Sequence, residues 1–147
     1  MDEGGLRAPW FVRWPEKIQA GAEVEKIAGA IDLLPTLMEM ATVSHDLPKP
    51  VDGRSLVPLL LNPKAPWKPR ELFSIRRGSV SVRNQNFRLD GNGKLFDIRS
   101  DRGQREDVSA KHPKVAAELQ CLATFPILTS AIFANLSFTK KITFRRI

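Results

Sequence analysis

Hydrophobic positions follow three different rhythms along the chain, and each predicts a different kind of element. The first is a short continuous run, Trp10-Phe11-Val12-Arg13-Trp14, bounded by Pro9 and Pro15. Such a run between breakers marks a strand covered on both faces. After Gly21 a second apolar segment extends from Ile27 to Ala41, with Pro35 inside it. Pro in a helix interior costs about 3 kcal/mol. That cost disappears if Asp32 is the N-cap, Leu33 the first helical residue and Pro35 part of the first turn. Leu34, Leu37, Met38 and Ala41 then recur at helical spacing and predict one buried stripe.

The same device returns at Ser55-Leu56-Val57-Pro58-Leu59-Leu60-Leu61, where a small polar residue is followed three positions later by Pro, and it predicts a second, short helix. Around it, residues 43–70 hold six of the 11 prolines, the composition of an extended surface connector. From residue 71 the period changes to two. Leu72-Phe73-Ser74-Ile75, Val80-Ser81-Val82, Phe87-Arg88-Leu89 and Leu95-Phe96-Asp97-Ile98 read as four short strands, with Asp90-Gly91-Asn92-Gly93 as a hairpin turn. A charged loop, 99–111, leads to a helix opening near Pro113 that carries Val115, Ala116, Leu119 and Leu122 on one face. That helix is placed to cover the open side of the sheet.

Composition narrows the reading. The 147 residues include one Cys, so a disulfide framework is excluded. The net charge of +7 invites a nucleic-acid partner until its location is considered. Lys140, Lys141, Arg145 and Arg146 account for the excess of the tail, which has no acid, and residues 1–120 are left at +3. In that body both signs alternate, as on a solvated surface and unlike a phosphate-following stripe, so no nucleic acid is expected. Residues 121–139 are uncharged, but Pro126, Asn135 and several Ser and Thr dilute them below what a membrane span requires. The N-terminus, Met1-Asp2-Glu3-Gly4-Gly5, lacks the basic and apolar regions of a secretory signal.

One strand and one helix cannot bury both faces of a parallel strand. The expectation is therefore a fragment. Residues 1–42 read as the last strand-helix unit of a larger α/β sheet, 43–70 as a Pro-rich connector with a short helix, and 71–122 as a small α+β subdomain with a four-stranded antiparallel sheet and one covering helix. Residues 123–147 remain an unassigned basic tail.

Four blocks carry a family resemblance: Glu3-Gly4-Gly5-Leu6-Arg7-Ala8-Pro9-Trp10-Phe11-Val12-Arg13-Trp14-Pro15, Ile31-Asp32-Leu33-Leu34-Pro35-Thr36-Leu37, Asp52-Gly53-Arg54-Ser55-Leu56-Val57-Pro58-Leu59-Leu60, and Leu95-Phe96-Asp97-Ile98 with Asp101. In order and spacing, over about residues 3–120, they resemble the C-terminal third of sulfatases. The resemblance implies an alkaline-phosphatase-like α/β fold with a small C-terminal subdomain, and hydrolysis of a small-molecule or carbohydrate sulfate ester or sulfamate. It implies a formylglycine nucleophile made from a Cys/Ser-x-Pro-x-Arg motif and a divalent cation, Ca²⁺, held by Asp and Asn oxygens. It also suggests an exported protein, periplasmic, extracellular or lysosomal.

Residue by residue, the chain lacks these parts. Cys121 is followed by Leu122 and Ala123 and does not fit the nucleophile motif, and the family's metal-binding Asp-Asn pair and sulfate-contacting Lys lie upstream of the Glu3 block. No catalytic, cofactor-binding or metal residue is therefore assigned, and the missing N-terminal sulfatase portion is the expected partner. Met1 and Asp2 read as a false or internal start. Glu3 and Arg7 read as a loop brace before a substrate contact, His45 and His112 as solvated side chains, and Asp90 with Asn92 as a turn before a calcium loop. Asp97 and Asp101 are expected to cap turns after the last strand, and Cys121 to sit as a small apolar residue on the helix face. Residues 121–147 match nothing in the family pattern, which suits either a reading-frame error or a lineage-specific extension. Two alternatives stand beside the inactive sulfatase fragment: a non-catalytic binding module built from the accessory subdomain, and a phosphate or phosphonate ester hydrolase of the same superfamily.

Overall fold

The computed structural model describes residues 7–43 and 51–135, the last eleven by backbone alone. The chain falls into two compact units. One takes the chain to Leu72 together with Arg83–Phe87, and the other takes Phe73–Val82 and the chain from Arg88 onward. The Glu3-Gly4-Gly5 end of the first sequence block, His45 and residues 136–147 lie outside the described residues.

In the first unit the expected strand at Pro9 to Trp14 does not form. Residues 7–14 carry no ladder, and Phe11 is 89% exposed. An apolar run demands cover on both faces, and its strand geometry exists only through hydrogen bonds to a neighbouring strand. Among the described residues no segment supplies one. The run ends in a turn in which Lys17 and Ile18 donate their amides to the Trp14 carbonyl.

The helix begins as expected. A 3-10 turn over Ala30–Asp32 leads into α1, Leu33–Met40, with Pro35 in the first turn where its missing N–H has no role. The stripe is the correction. Pro35 and Thr36 are buried, while Leu34 and Leu37 are 51% and 55% exposed and Ala41 is exposed too. Polar ties decide which side turns inward. The Thr36 hydroxyl donates to the Asp32 carbonyl (2.5 Å) and accepts from the Leu56 amide (2.9 Å), which pins this face against the start of α2, Val57–Leu61. In α2 Pro58 sits in the first turn as expected, Ser55 Oγ accepts from the Val57 amide, and Leu56, Val57 and Leu59 are buried. The 83–87 segment closes this unit. Gln85 accepts from the Ile27 amide and donates to the Glu25 carbonyl, and Ile27 is buried.

The second unit is built on a four-stranded meander in the order β1-β2-β3-β4: β1 Leu72–Arg76, β2 Ser79–Arg83, β3 Phe87–Leu89 and β4 Leu95–Asp97. All four strands lie where the period-two pattern places them. The first hairpin turns on Arg77 and Gly78, both at positive φ (49° and 79°), the left-handed pair that matches strand twist. The 90–94 turn is tied by Asp90, whose Oδ1 accepts from the Asn92 and Lys94 amides at 2.9 Å, with Gly93 at φ 82°. Val80, Val82, Leu89, Leu95 and Phe96 are buried, as are Leu119 and Ala123 of the helix α3, Pro113–Asn135. Pro113 opens α3 and Ala116 donates to the His112 carbonyl. The helix does not stop near 122; it runs on through Pro126 to Asn135, and Cys121 is exposed instead of packing as an apolar residue.

Candidate functional site

The most enclosed polar cluster is centred on Asp32. Its carboxylate has no exposed surface and accepts three hydrogen bonds: from the Gly29 amide on Oδ2 (2.8 Å), and from the Arg54 amide (2.9 Å) and Arg70 Nη1 (2.8 Å) on Oδ1. Arg70 is itself 6% exposed. Asp32 precedes α1 as expected but makes no side-chain cap bond to it; its carboxylate instead joins the Gly29 turn, the Gly53-Arg54 turn and the end of the Pro-rich connector. A carboxylate so occupied and turned away from solvent suits a structural brace. Sequence reasoning placed Asp32 but missed Arg70, 38 positions away. The available signal was a charge within the apolar segment 27–41, since a buried carboxylate needs a cationic or multiply donating partner.

Gly53 shows how tightly this corner is packed. A Cβ there would lie 1.9 Å from the Ile31 carbonyl oxygen and 3.0 Å from the Asp32 amide nitrogen. Only a glycine lets the 52–54 turn approach close enough for the Arg54 amide to reach Asp32.

A second polar cluster lies in the sheet unit. Arg88 is buried, donating through Nε to Ser81 Oγ (2.9 Å) and through Nη1 to Gln104 Oε1 (2.5 Å), while Ser81 donates to the Leu89 carbonyl. These bonds fasten the 99–111 loop to the polar side of β2 and β3. A small cavity of about 90 Å³ in the same unit is lined by Ser79, Val80, Asp90, Gly91, Gln120 and Thr124 among others. Asp90 at its edge spends Oδ1 on the hairpin turn.

The remaining sequence candidates are separated. Arg7 and His112 are exposed and lie in different units. Asp97 Oδ1 accepts from the Arg99 amide, and Asp101 Oδ2 accepts from the Arg105 and Glu106 amides, so both cap turns after the last strand as expected. Among the described residues no group of three His, Cys, Asp or Glu side chains is placed to hold a metal ion. The described residues do not fit the Ca²⁺ site of the resemblance. Cys121, inside a helix and followed by Leu122 and Ala123, does not fit a formylglycine precursor. Among the described residues no helix is long and apolar enough to cross a membrane.

Three carboxylates give the 97–109 loop a pH dependence. Asp97 is held below its ordinary value of 3.8 chiefly by the Arg99 amide. The Glu106 amide does the same for Asp101, and the Ser109 hydroxyl for Asp107. Because folding lowers these values, the loop's support is complete above 3.8 and is lost as pH falls below it. NMR shifts of the Arg99, Arg105, Glu106 and Ser109 amides, followed from about pH 6 to pH 2, should hold steady until below the ordinary carboxylate range and then move together. Midpoints at or above the ordinary value would show that these bonds do not form in solution.

Comparison with known proteins adds a consistent set of likenesses. The family model described as "N-sulphoglucosamine sulphohydrolase, C-terminal" matches residues 1–75. The chain is similar to the steryl-sulfatase of Rattus norvegicus, 44% identical over 59 residues, covering 40% of this chain and 10% of that protein. It is similar to an uncharacterised sulfatase of Schizosaccharomyces pombe, 29% identical over 141 residues, covering 81% of this chain and 24% of that one. In backbone it matches the crystal structure of Ps i-CgsB with TM-score 0.60 at 24% identity, over 72% of this chain and 25% of that chain. At this identity the likeness speaks to the fold alone. The chain thus spans between a tenth and a quarter of the length of these relatives.

Proposed function

We propose, for a chain that belongs to the sulfatase family and matches its C-terminal portion, that it is the accessory piece of a sulfuric ester hydrolase and turns over no substrate by itself. The observation that carries this reading is the uncovered ribbon. Phe11 is 89% exposed and Trp10 41%, within the segment that the family model matches, and a sheet with further strands would cover such a run. The enclosed polar groups support the same division of labour: Asp32 and Arg70 are bonded to one another inside a brace. In this reading the nucleophile, the divalent cation and the pocket that selects an aryl, carbohydrate or sulfamate substrate belong to the preceding part of the molecule. An exported setting follows from the family in the same way.

The test is complementation. The part of the Schizosaccharomyces pombe sulfatase that precedes its matched quarter, made separately and mixed with the full 147-residue chain, should hydrolyse 4-nitrophenyl sulfate in the presence of Ca²⁺, while neither does so alone. Absence of turnover in a mixture whose two parts are each folded would reject the accessory role.

A binding-module reading is favoured by one observation, the closed core of the second unit, in which Val82 and Leu95 are fully buried and Leu89 and Leu119 nearly so. It requires that this unit melt cooperatively in the isolated chain, with no gain in stability on mixing.

A further inference from the structure

We infer that the open edge of β1 pairs with β1 of a second copy of this chain, antiparallel and about a two-fold axis beside Ser74. In the order β1-β2-β3-β4 the two outer strands are treated differently. The edge at β4 is closed, because the Leu95 amide donates to Asp107 Oδ1 and Ser109 Oγ and the Leu95 carbonyl accepts from the Val108 amide. Nothing comparable lies along β1 among the described residues. The two-residue turn at Arg77 and Gly78 makes Arg76 with Ser79, and Ser74 with Ser81, the hydrogen-bonded pairs of the hairpin. Phe73 and Ile75 therefore turn their amides and carbonyls to the open side. Their side chains are 44% and 63% exposed, and β1 contains neither the Lys nor the Pro that commonly blunts an edge.

Charge and symmetry select a second copy as the occupant. Residues 72–89 hold Arg76, Arg77, Arg83 and Arg88 and no acid, so an acidic partner for the hairpin tip has to come from outside that stretch. Exposed Glu71 stands directly before β1, and exposed Arg77 directly after it. With the axis beside Ser74, Glu71 of each copy faces Arg77 of the other, and Phe73 of each faces Ile75 of the other, an aromatic against a β-branched residue. Each Phe73–Ile75 pair exchanges two backbone hydrogen bonds, and the two sheets join into one. A slip of the register by two residues sets Ile75 against Glu71 or Phe73 against Arg77 and loses both ion pairs. The contact of two five-residue strands falls short of the roughly 800 Å² per partner of a stable complex, so the pair is a reversible one.

The experiment follows the full 147-residue chain by sedimentation equilibrium from about 5 to about 500 μM. The mass is expected to rise from 16.5 kDa toward twice that value and to stop there. Ile75→Pro removes an outward N–H and none from the ladder to β2, and should weaken association at least about tenfold. Glu71→Arg, which leaves the strand itself untouched, should weaken it about fivefold, and adding Arg77→Glu should restore it. The register is read by disulfide trapping with oxidised glutathione in a Cys121→Ser background. Ser74→Cys should give a covalent dimer, since facing Cα atoms at the axis stand about 4.5 Å apart, whereas Leu72→Cys and Arg76→Cys face each other's positions and not their own and should give none. A mass of 16.5 kDa at every concentration would overturn the pairing. So would association undiminished by both Ile75→Pro and Glu71→Arg, or a dimer trapped as readily from position 72 or 76 as from 74. Growth beyond the dimer that persists in Ile75→Pro would place association on the ribbon at Trp10 and Phe11 and overturn it as well.

Discussion

Asp32→Ala should abolish the cooperative unfolding of the first unit. The substitution leaves the Arg70 guanidinium, 6% exposed, without its 2.8 Å partner, and strips the Gly29 and Arg54 amides of their acceptor. Breaking a buried ion pair by removing one side costs about 3–5 kcal/mol, and each stranded amide adds about 1 kcal/mol or more. Such a sum rivals the whole stability of a small unit, about 5 kcal/mol at the low end of folded domains. Asp32→Asn, which keeps one acceptor oxygen and the shape but loses the charge, should fall between. Removing both charges with Asp32→Leu and Arg70→Met recovers part of the loss, because no charge is then left buried alone, but not all of it, because the two amides still lack an acceptor. Intrinsic tryptophan fluorescence during urea unfolding reads this unit through Trp10, Trp14 and Trp67. A loss below about 1 kcal/mol for Asp32→Ala would mean that the brace does not hold the unit together.

The second large effect is expected at Gly53. In Gly53→Ala the new methyl carbon would stand 1.9 Å from the Ile31 carbonyl oxygen, and the obstacle is backbone, so the 52–54 turn has to move away. The Arg54 amide moves with it and loses Asp32. A cost of about 3 kcal/mol combines the overpacking with the lost bond. The comparison is Gly91→Ala, where the near atom, at 1.7 Å, is the Ser79 hydroxyl, a group that can rotate aside; the cost there should be about 1 kcal/mol or less, and smaller again in a Ser79→Ala background. Because Gly53 and Asp32 act through the same bond, the double variant Gly53→Ala, Asp32→Ala should lose clearly less than the two single losses together. Equal costs at Gly53 and Gly91 would contradict the steric account.

The sheet unit was legible in the sequence because its signals are local. Alternation over three to five residues located each strand, and Asp90-Gly91-Asn92-Gly93 named its own turn. The start of α1 was legible for the same reason, since Pro35 is compatible with few registers and Asp32 begins the most favourable one. What failed depended on residues distant in sequence. The run from Trp10 to Trp14 states a demand for neighbouring strands, and a demand for cover is not its presence. Leu34, Leu37 and Ala41 were assigned to the interior by hydrophobicity, yet the bonds of Asp32 and Thr36 to residues 54, 56 and 70 turned the other side inward. Arg70, at the end of a Pro-rich connector, carried no local mark of its role. The covering helix was placed within residues 71–122, and α3 continues past them to Asn135.

The four collinear sequence blocks pointed to the sulfatases, and the family match agrees with them. The chemistry is a separate matter from the family. The described residues supply a brace, a small closed sheet and an uncovered apolar ribbon.

The most direct measurement is the turnover of 4-nitrophenyl sulfate by the purified 147-residue chain, at micromolar concentration, with and without Ca²⁺. No hydrolysis above buffer is expected in either condition, with the protein shown to be folded by its melting transition. Metal-dependent turnover that tracks the chain through purification would contradict the assignment of the chemistry to the preceding portion.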